Sequence, residues 1–285
     1  MVTVLLLLSC LTSMAFADGG EPRVAVSVPP QAWLVEQIAG TQVAITVMVP
    51  PGNSPATWNL TPAQYRELAD AQLYFKIGHP SFLLETRLID PFLERHPELP
   101  LVTLYDKTDS LSFIQKGDRG SLDPHVWLSP AVIANSLPAL TAALSALFPG
   151  QADQFELNYD RLVVKLDSLD AHIRSLLDPL QQRRFMVQHP AWGWYAAQYG
   201  LEQLSIEHHG HEPAPSELIH LIKQADEFKL RAVFVQAGFA RRSADMLAAE
   251  LEIALLEMDP LARNWLANMY HITGQLQSYM EQKHE

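Results

Sequence analysis

The stretch from Gln151 to Asp178 constrains the fold more than any other part of this chain. Phe155, Tyr159, Leu162, Leu166, Leu169, Ile173 and Leu176 recur there at alternating spacings of four and three. Such a pattern lays one apolar stripe along an α-helix. Residues 151–178, at about 1.5 Å each, make a rod of roughly 42 Å. Pro149-Gly150 breaks the chain before the rod and Pro179 ends it. A coiled-coil seam has the same repeat. One isolated stretch of this kind, set between two segments of alternating strand and helix signals, reads better as a spine packed across both halves.

Those flanking segments share a pattern. In the first half, 23–28 (RVAVSV), 43–49 (VAITVMV), 73–77 (LYFKI) and 101–104 read as strands. Helices are expected from 31 to 38 and from Thr61-Pro62, where Thr61 is an N-cap and Pro62 takes the first helical position. A further helix is expected at 130–147. In the second half, strands are expected at 185–187, 204–206, 232–235 and 253–256, with helices at about 192–199, 216–229, 242–251 and 262–282. This order predicts an α/β fold of two lobes, each with a mostly parallel sheet flanked by helices, joined by one long linking helix. The expected division is 1–17 as an export segment, 18–150 as the first lobe, 151–179 as the linking helix and 180–285 as the second lobe.

The N-terminal segment is apolar and ends in Ala15-Phe16-Ala17, the small-x-small exit of a signal peptide, although no Lys or Arg precedes its core. The expectation is export to the periplasm. Leu7-Leu8-Ser9-Cys10 also resembles a lipobox, which would instead anchor the protein through Cys10. A buried N-terminal strand or helix is the plain alternative. Cys10 is the single cysteine, so cleavage after Ala17 leaves no thiol, which suits an oxidising compartment without disulfides. No later run reaches about 18 consecutive apolar residues. The net charge of -12 argues against nucleic acid as a partner, because a phosphate backbone needs a basic face.

Three loops combine a proline with a metal-type ligand: Asp123-Pro124-His125, His189-Pro190 and Asp259-Pro260. Two of them follow apolar runs that read as buried strands. In open parallel sheets, ligands bind beyond the carboxyl ends of strands. Two imidazoles and a carboxylate are what a divalent cation such as Zn2+ recruits. With eleven histidines in the chain, each residue alone is weak evidence. Trp127 and Pro130 beside His125, and Pro190 and Trp192 beside His189, would stiffen these loops, as a metal site requires. His79, after the third strand, is a further candidate on the first-half side. His208, His209 and His211 form a short cluster, read either as a solvated loop or as an accessory metal loop that Glu207 and Glu212 join. Glu85 reads as a cap or an ion-pair partner rather than a ligand.

DPHVWLSP at 123–130, HPAWGWYAAQYGL at 189–201 and EMDPLA at 257–262 together resemble the metal-binding receptor proteins of ABC importers for zinc and manganese. IEHHGHEPAPSEL at 206–218 is similar to that family's linker before its next helix, and the resemblance covers nearly the whole chain after residue 17. It implies two α/β lobes on a stiff helix, a metal held between them by three histidines and a carboxylate, and a membrane permease as partner. The matching positions here are His125, His189 and Asp259. The family commonly carries Gly-x-x-Pro-His in the first half, whereas this chain reads Gly52-Asn53-Ser54-Pro55-Ala56. Alanine cannot ligate. Three outcomes are open: three protein ligands plus water, a substitute residue with His79 as the leading candidate, or loss of tight metal binding.

The expected function is high-affinity binding of Zn2+ by a monomer that delivers it to the importer, with no enzymatic turnover. Imidazole ligands favour zinc over Mn2+, which wants more oxygen ligands. A manganese or iron receptor of the same fold is the nearest alternative. A metal-dependent hydrolase using His125, His189 and Asp259, or a surface adhesin, belongs to a different class. No His-Glu-x-x-His, Gly-x-Ser-x-Gly or phosphate-loop motif supports an enzyme.

Overall fold

The computed structural model describes residues 22–105, 123–207, 211–236 and 238–281. The export segment, Cys10, His208 and His209 lie outside them. Within the described residues the chain forms two four-stranded sheets in which every pairing is parallel. The first contains β1 (Arg23–Val26), β2 (Ala44–Val47), β3 (Leu73–Lys76) and β4 (Leu101–Thr103), in the order β2-β1-β3-β4. The second contains β5 (Arg184–Val187), β6 (Glu202–Ser205), β7 (Ala232–Val235) and β8 (Ala254–Glu257), in the order β6-β5-β7-β8. The two orders are the same topology. Each sheet turns back on itself beside its first strand, so each has a switch point where loops leave in opposite directions.

Helices α1 (Pro29–Ala39), α2 (Pro62–Ala69), α3 (Asp90–Leu93) and α4 (Pro130–Leu147) belong to the first half. Then come α5 (Ala152–Leu177), α6 (Gly193–Gln198), α7 (Pro215–Glu227), α8 (Arg242–Leu251) and α9 (Trp265–Met280). The expected strands and helices all form, within a few residues of their expected ends. Thr61 caps α2 as its sequence predicts, with Oγ1 accepting from Gln64 N at 3.2 Å.

The long helix α5 buries Phe155, Leu162, Leu166, Leu169, Ile173 and Leu177, with Tyr159 packed at the edge. The last buried position is Leu177, not Leu176. A straight α-helix turns 3.6 residues at a time and drifts off a strict heptad, so the stripe moves on by one residue. That drift marks a helix packed into a core rather than a supercoiled seam. It lies against α1 and α4 on one side and α9 on the other. One continuous apolar core therefore runs from β1 through α5 to α9, and a smaller cluster sits between the second sheet and α7 and α8.

Helix α4 is long and apolar enough to cross a membrane by length and composition, with a mean hydropathy of 1.4 over 18 residues. Asn135, Ser136, Pro138 and Thr141 interrupt the run, which is why no unbroken apolar stretch is visible in the sequence. Val132, Ile133, Leu137, Leu140 and Leu144 are buried and the helix packs on α5 and β4, as a core helix does.

Two elements escape the sequence pattern. A π-helical turn at Glu85–Ile89 runs into the four-residue α3, which carries Pro91 near its start. Glu85 is a cap: its carboxylate accepts from Ile77 N at 2.6 Å and Gly78 N at 2.8 Å, closing the end of β3. Tyr74 Oη, at 3.2 Å, and Ser27 Oγ donate to the same carboxylate.

Tryptophans tie the halves together where the candidate loops meet. Trp127 Nε1 donates to the Pro260 carbonyl at 2.7 Å, and Trp265 Nε1 donates to the Trp127 carbonyl at 2.8 Å. Trp33 and Trp265 pack with ring centroids 5.9 Å apart. The Trp127 and Trp265 indoles each bury a large apolar area and satisfy their one donor. The loop bearing His125 is thus fixed to the loop bearing Asp259.

Candidate metal centre

His125 sits on a short turn ahead of α4. Asp123, two residues earlier, folds its carboxylate back so that Oδ1 accepts from His125 N at 2.9 Å and from His125 Nδ1 at 2.6 Å. This Asx-type turn sets the ring tautomer: Nδ1 carries the proton and Nε2 keeps its lone pair. His189 follows β5. Its Nδ1 meets Glu207 Oε2 at 3.2 Å, just beyond the neighbouring strand β6. Gln188 holds Glu207 in turn, donating from Nε2 to Oε1 at 3.0 Å. Burial would raise the Glu207 carboxyl, but hydrogen bonds from His189 and Gln188 outweigh it and hold the group below the usual carboxylate range.

The two rings face each other edge to face, with His125 Nε2 and His189 Nε2 3.4 Å apart. Both Nδ1 atoms are committed to carboxylates, so two lone pairs point into one gap. Only a proton or a cation satisfies both. Two Zn–N bonds of about 2.0–2.1 Å at the tetrahedral angle separate their nitrogens by roughly 3.3–3.4 Å. The spacing fits that span without rearrangement. The side chains are 15% and 34% exposed, so a cation reaches the gap from the His189 side.

Asp259 follows β8 and precedes Pro260, whose carbonyl accepts from Trp127. Asp259 Oδ1 accepts from Leu261 N at 2.9 Å and makes a long contact with Gln236 Nε2 at 3.5 Å. Burial pushes its carboxyl above the ordinary range, against the hydrogen bonds from Leu261 and Gln236. His189, Gln236, Met258 and Pro260 line a cavity of about 10 Å³ between these strand ends, room for one water.

The remaining candidates are placed differently. His79 is 1% exposed, its Nδ1 accepts from Ser81 N at 3.2 Å, and its ring packs on Tyr105 and Trp194 with centroids 4.8 Å and 6.5 Å away. Trp194 also donates to the Asp123 carbonyl at 2.7 Å, so His79 stands one side chain away from the His125 turn. Ala56 is exposed. His211 is exposed, and Glu212 accepts from Ser243 Oγ. Among the described residues, no three His, Cys, Asp or Glu side chains are grouped closely enough to hold one ion at once. The geometry assembles a pair, His125 and His189.

The sequence reading did not assign roles to the supporting carboxylates. Asp123 was legible in principle, because Asp two residues before His is an Asx-turn signal. Glu207 was read with the histidine cluster; its meeting with His189 depends on the β5–β6 register, which no local motif encodes.

Two parallel α/β sheets sharing one long helix, with facing imidazoles between their loops, define a metal-type solute-binding receptor. The chain belongs to the family described as ZnuA, zinc-uptake complex component A, periplasmic, whose model matches residues 24–279. It is 27% identical over 271 residues to a Chlamydia trachomatis protein named for metal binding, covering 94% of this chain and 96% of that one. It is 24% identical over 252 residues to the high-affinity zinc uptake system protein ZnuA of Bacillus subtilis, covering 83% of this chain and 77% of the relative. A crystal structure of ZnuA superposes with a TM-score of 0.84 at 30% identity, over 92% of this chain and all of the other.

Proposed function

We propose that this protein is an exported receptor that captures Zn2+ between residues 18–150 and 180–285 and delivers it to the membrane permease of an ABC-type importer. The observation that carries this reading is the 3.4 Å separation of the two Nε2 atoms, each with its Nδ1 held by a carboxylate. The relatives' zinc-uptake names support the choice of ion. So does the donor set, since imidazole favours zinc over manganese.

His125 and His189 are the first ligands and Asp259 the third. The fourth position, where Ala56 replaces the family histidine, goes to water or to His79. Three protein ligands plus water is ordinary zinc coordination. The ion is cargo. Asp123 and Glu207 orient the rings and strengthen them as donors, which lowers the ordering cost of capture. No turnover of ester, peptide or phosphate substrates is expected, and the protein acts as a monomer.

Isothermal titration of the demetallated protein tests the proposal. One zinc should bind tightly, with Mn2+ and Fe2+ weaker. Absence of heat and of thermal stabilisation with zinc would sink it, and preference for Mn2+ would reassign the ion.

A further inference from the structure

Asp123 Oδ2 is buried and has no hydrogen-bond partner among the described residues, although Oδ1 of the same carboxylate serves His125 twice. A buried unpaired carboxylate oxygen is costly and asks for a reason. The reason lies across the site. Oδ2 rests against Gly193, the first residue of α6, where a Cβ would sit 2.6 Å away. The next residue, Trp194, donates from its indole to the Asp123 carbonyl at 2.7 Å. Second-half residues just after His189 therefore grip the turn that orients the first-half ligand.

We propose that Gly193 is a positioning residue for metal capture: its missing side chain leaves room for the Asp123 carboxylate to hold His125 with Nε2 facing His189. The proposal rests on the metal reading above but acts through a contact already present without an ion. Gly193 has no left-handed backbone angle, so the helix does not require glycine there. An added methyl meets a side-chain oxygen rather than backbone, so the Asp123 carboxylate must turn aside while the helix stays in place. The Oδ1 contact at 2.6 Å to His125 Nδ1 is lost with it, a local cost that leaves the fold standing. Trp194, five residues after His189, holds the same turn through its indole, so the two ligand-bearing loops share one contact.

The test is Gly193→Ala in the full chain, read in three ways. Zinc affinity should fall about tenfold, the low end for loss of an outer contact to a ligating histidine. In metal-free protein, the imidazole nitrogen-15 signals of His125 should move from the single Nδ1-protonated form towards a mixture, while those of His189 stay. The metal-free melting temperature should fall by only a few degrees, because the lost Asp123 hydrogen bonds are partly offset by alanine replacing glycine in a helix. Asp123→Ala with Gly193→Ala should bind zinc no more weakly than Asp123→Ala alone. Trp194→Phe, which keeps the ring and removes the donor, should give a smaller shift of the same His125 signals. Unchanged affinity with unchanged His125 signals in Gly193→Ala overturns the proposal, as does a full affinity loss that persists in the Asp123→Ala background. If wild-type protein takes up no zinc but the His125 signals still move, the positioning role stands and the zinc reading falls.

Discussion

His125 Nε2 and His189 Nε2 face each other at 3.4 Å across the two halves of the chain. Neither ring can rotate freely, because Asp123 holds one and Glu207 the other. The pair is thus a two-point clamp whose arms are fixed before any ion arrives. Such preorganisation converts directly into affinity, since less ordering is left for the binding step.

Removing either arm should disable the clamp. His125→Ala and His189→Ala are each expected to weaken zinc binding by at least a hundredfold, and Asp259→Asn by about tenfold, in titrations of demetallated protein. The metal-free melting temperature should change little in His189→Ala, whose ring is 34% exposed, and fall further in His125→Ala, which leaves the buried Asp123 carboxylate without its imidazole partner. Equal affinity in wild type and His189→Ala would place the ion elsewhere.

The sequence made the architecture legible because each element carries its own signal: the stripe on α5, the short β-branched runs of β1 and β7, the cap at Thr61. The π-turn and α3 had no such period, being too short and interrupted by Pro91. In the candidate centre, prolines mark His189 after β5, Asp259 after β8 and the His125 turn ahead of α4, but that His125 and His189 face each other had no local signature. The Glu207 contact depended on sheet register, and the Trp127–Pro260 hydrogen bond spans 133 residues, so neither had a local signature. The burial of His79 was equally hidden, since Gly78-His79-Pro80 looks like an exposed turn until Tyr105 and Trp194 cover it.

His79 decides how the position matching Ala56 is filled. If it completes the shell, His79→Ala should weaken zinc binding at least tenfold, and X-ray absorption of the zinc-loaded protein should lose one imidazole. An unchanged affinity and spectrum would assign the fourth ligand to water.

The core around α5 should respond to truncation independently of the ion. Leu169 is fully buried among α5's partners. Leu169→Ala should destabilise the protein by about 2–5 kcal/mol, the usual cost of a large-to-small change in a close-packed core. Val164→Ala, on the exposed face of the same helix, should stay within about 0.5 kcal/mol. Chemical denaturation of metal-free protein measures both; equal effects would mean that α5 does not carry the shared core.

The last expectation concerns Glu85, buried at the end of β3 with four donors directed at it. Burial pushes its carboxyl above the ordinary range, against the hydrogen bonds from Ser27, Gly78 and Ile77. A carboxyl raised in the folded state binds its proton more tightly there than in the unfolded chain, where the reference is about 4.3. Folding therefore gains from this group as pH falls from neutral towards that value, and the gain is complete below it. Glu85→Gln removes the titration and turns an amide N–H towards backbone donors. It should cost about 1–3 kcal/mol at pH 7, the price of buried donors left unmatched. Because only wild type carries the proton-linked gain, the stability gap between the two proteins should widen from pH 7 to pH 5 in urea denaturation of metal-free samples. A gap that narrows instead would mean that the four donors, not burial, dominate the Glu85 carboxylate.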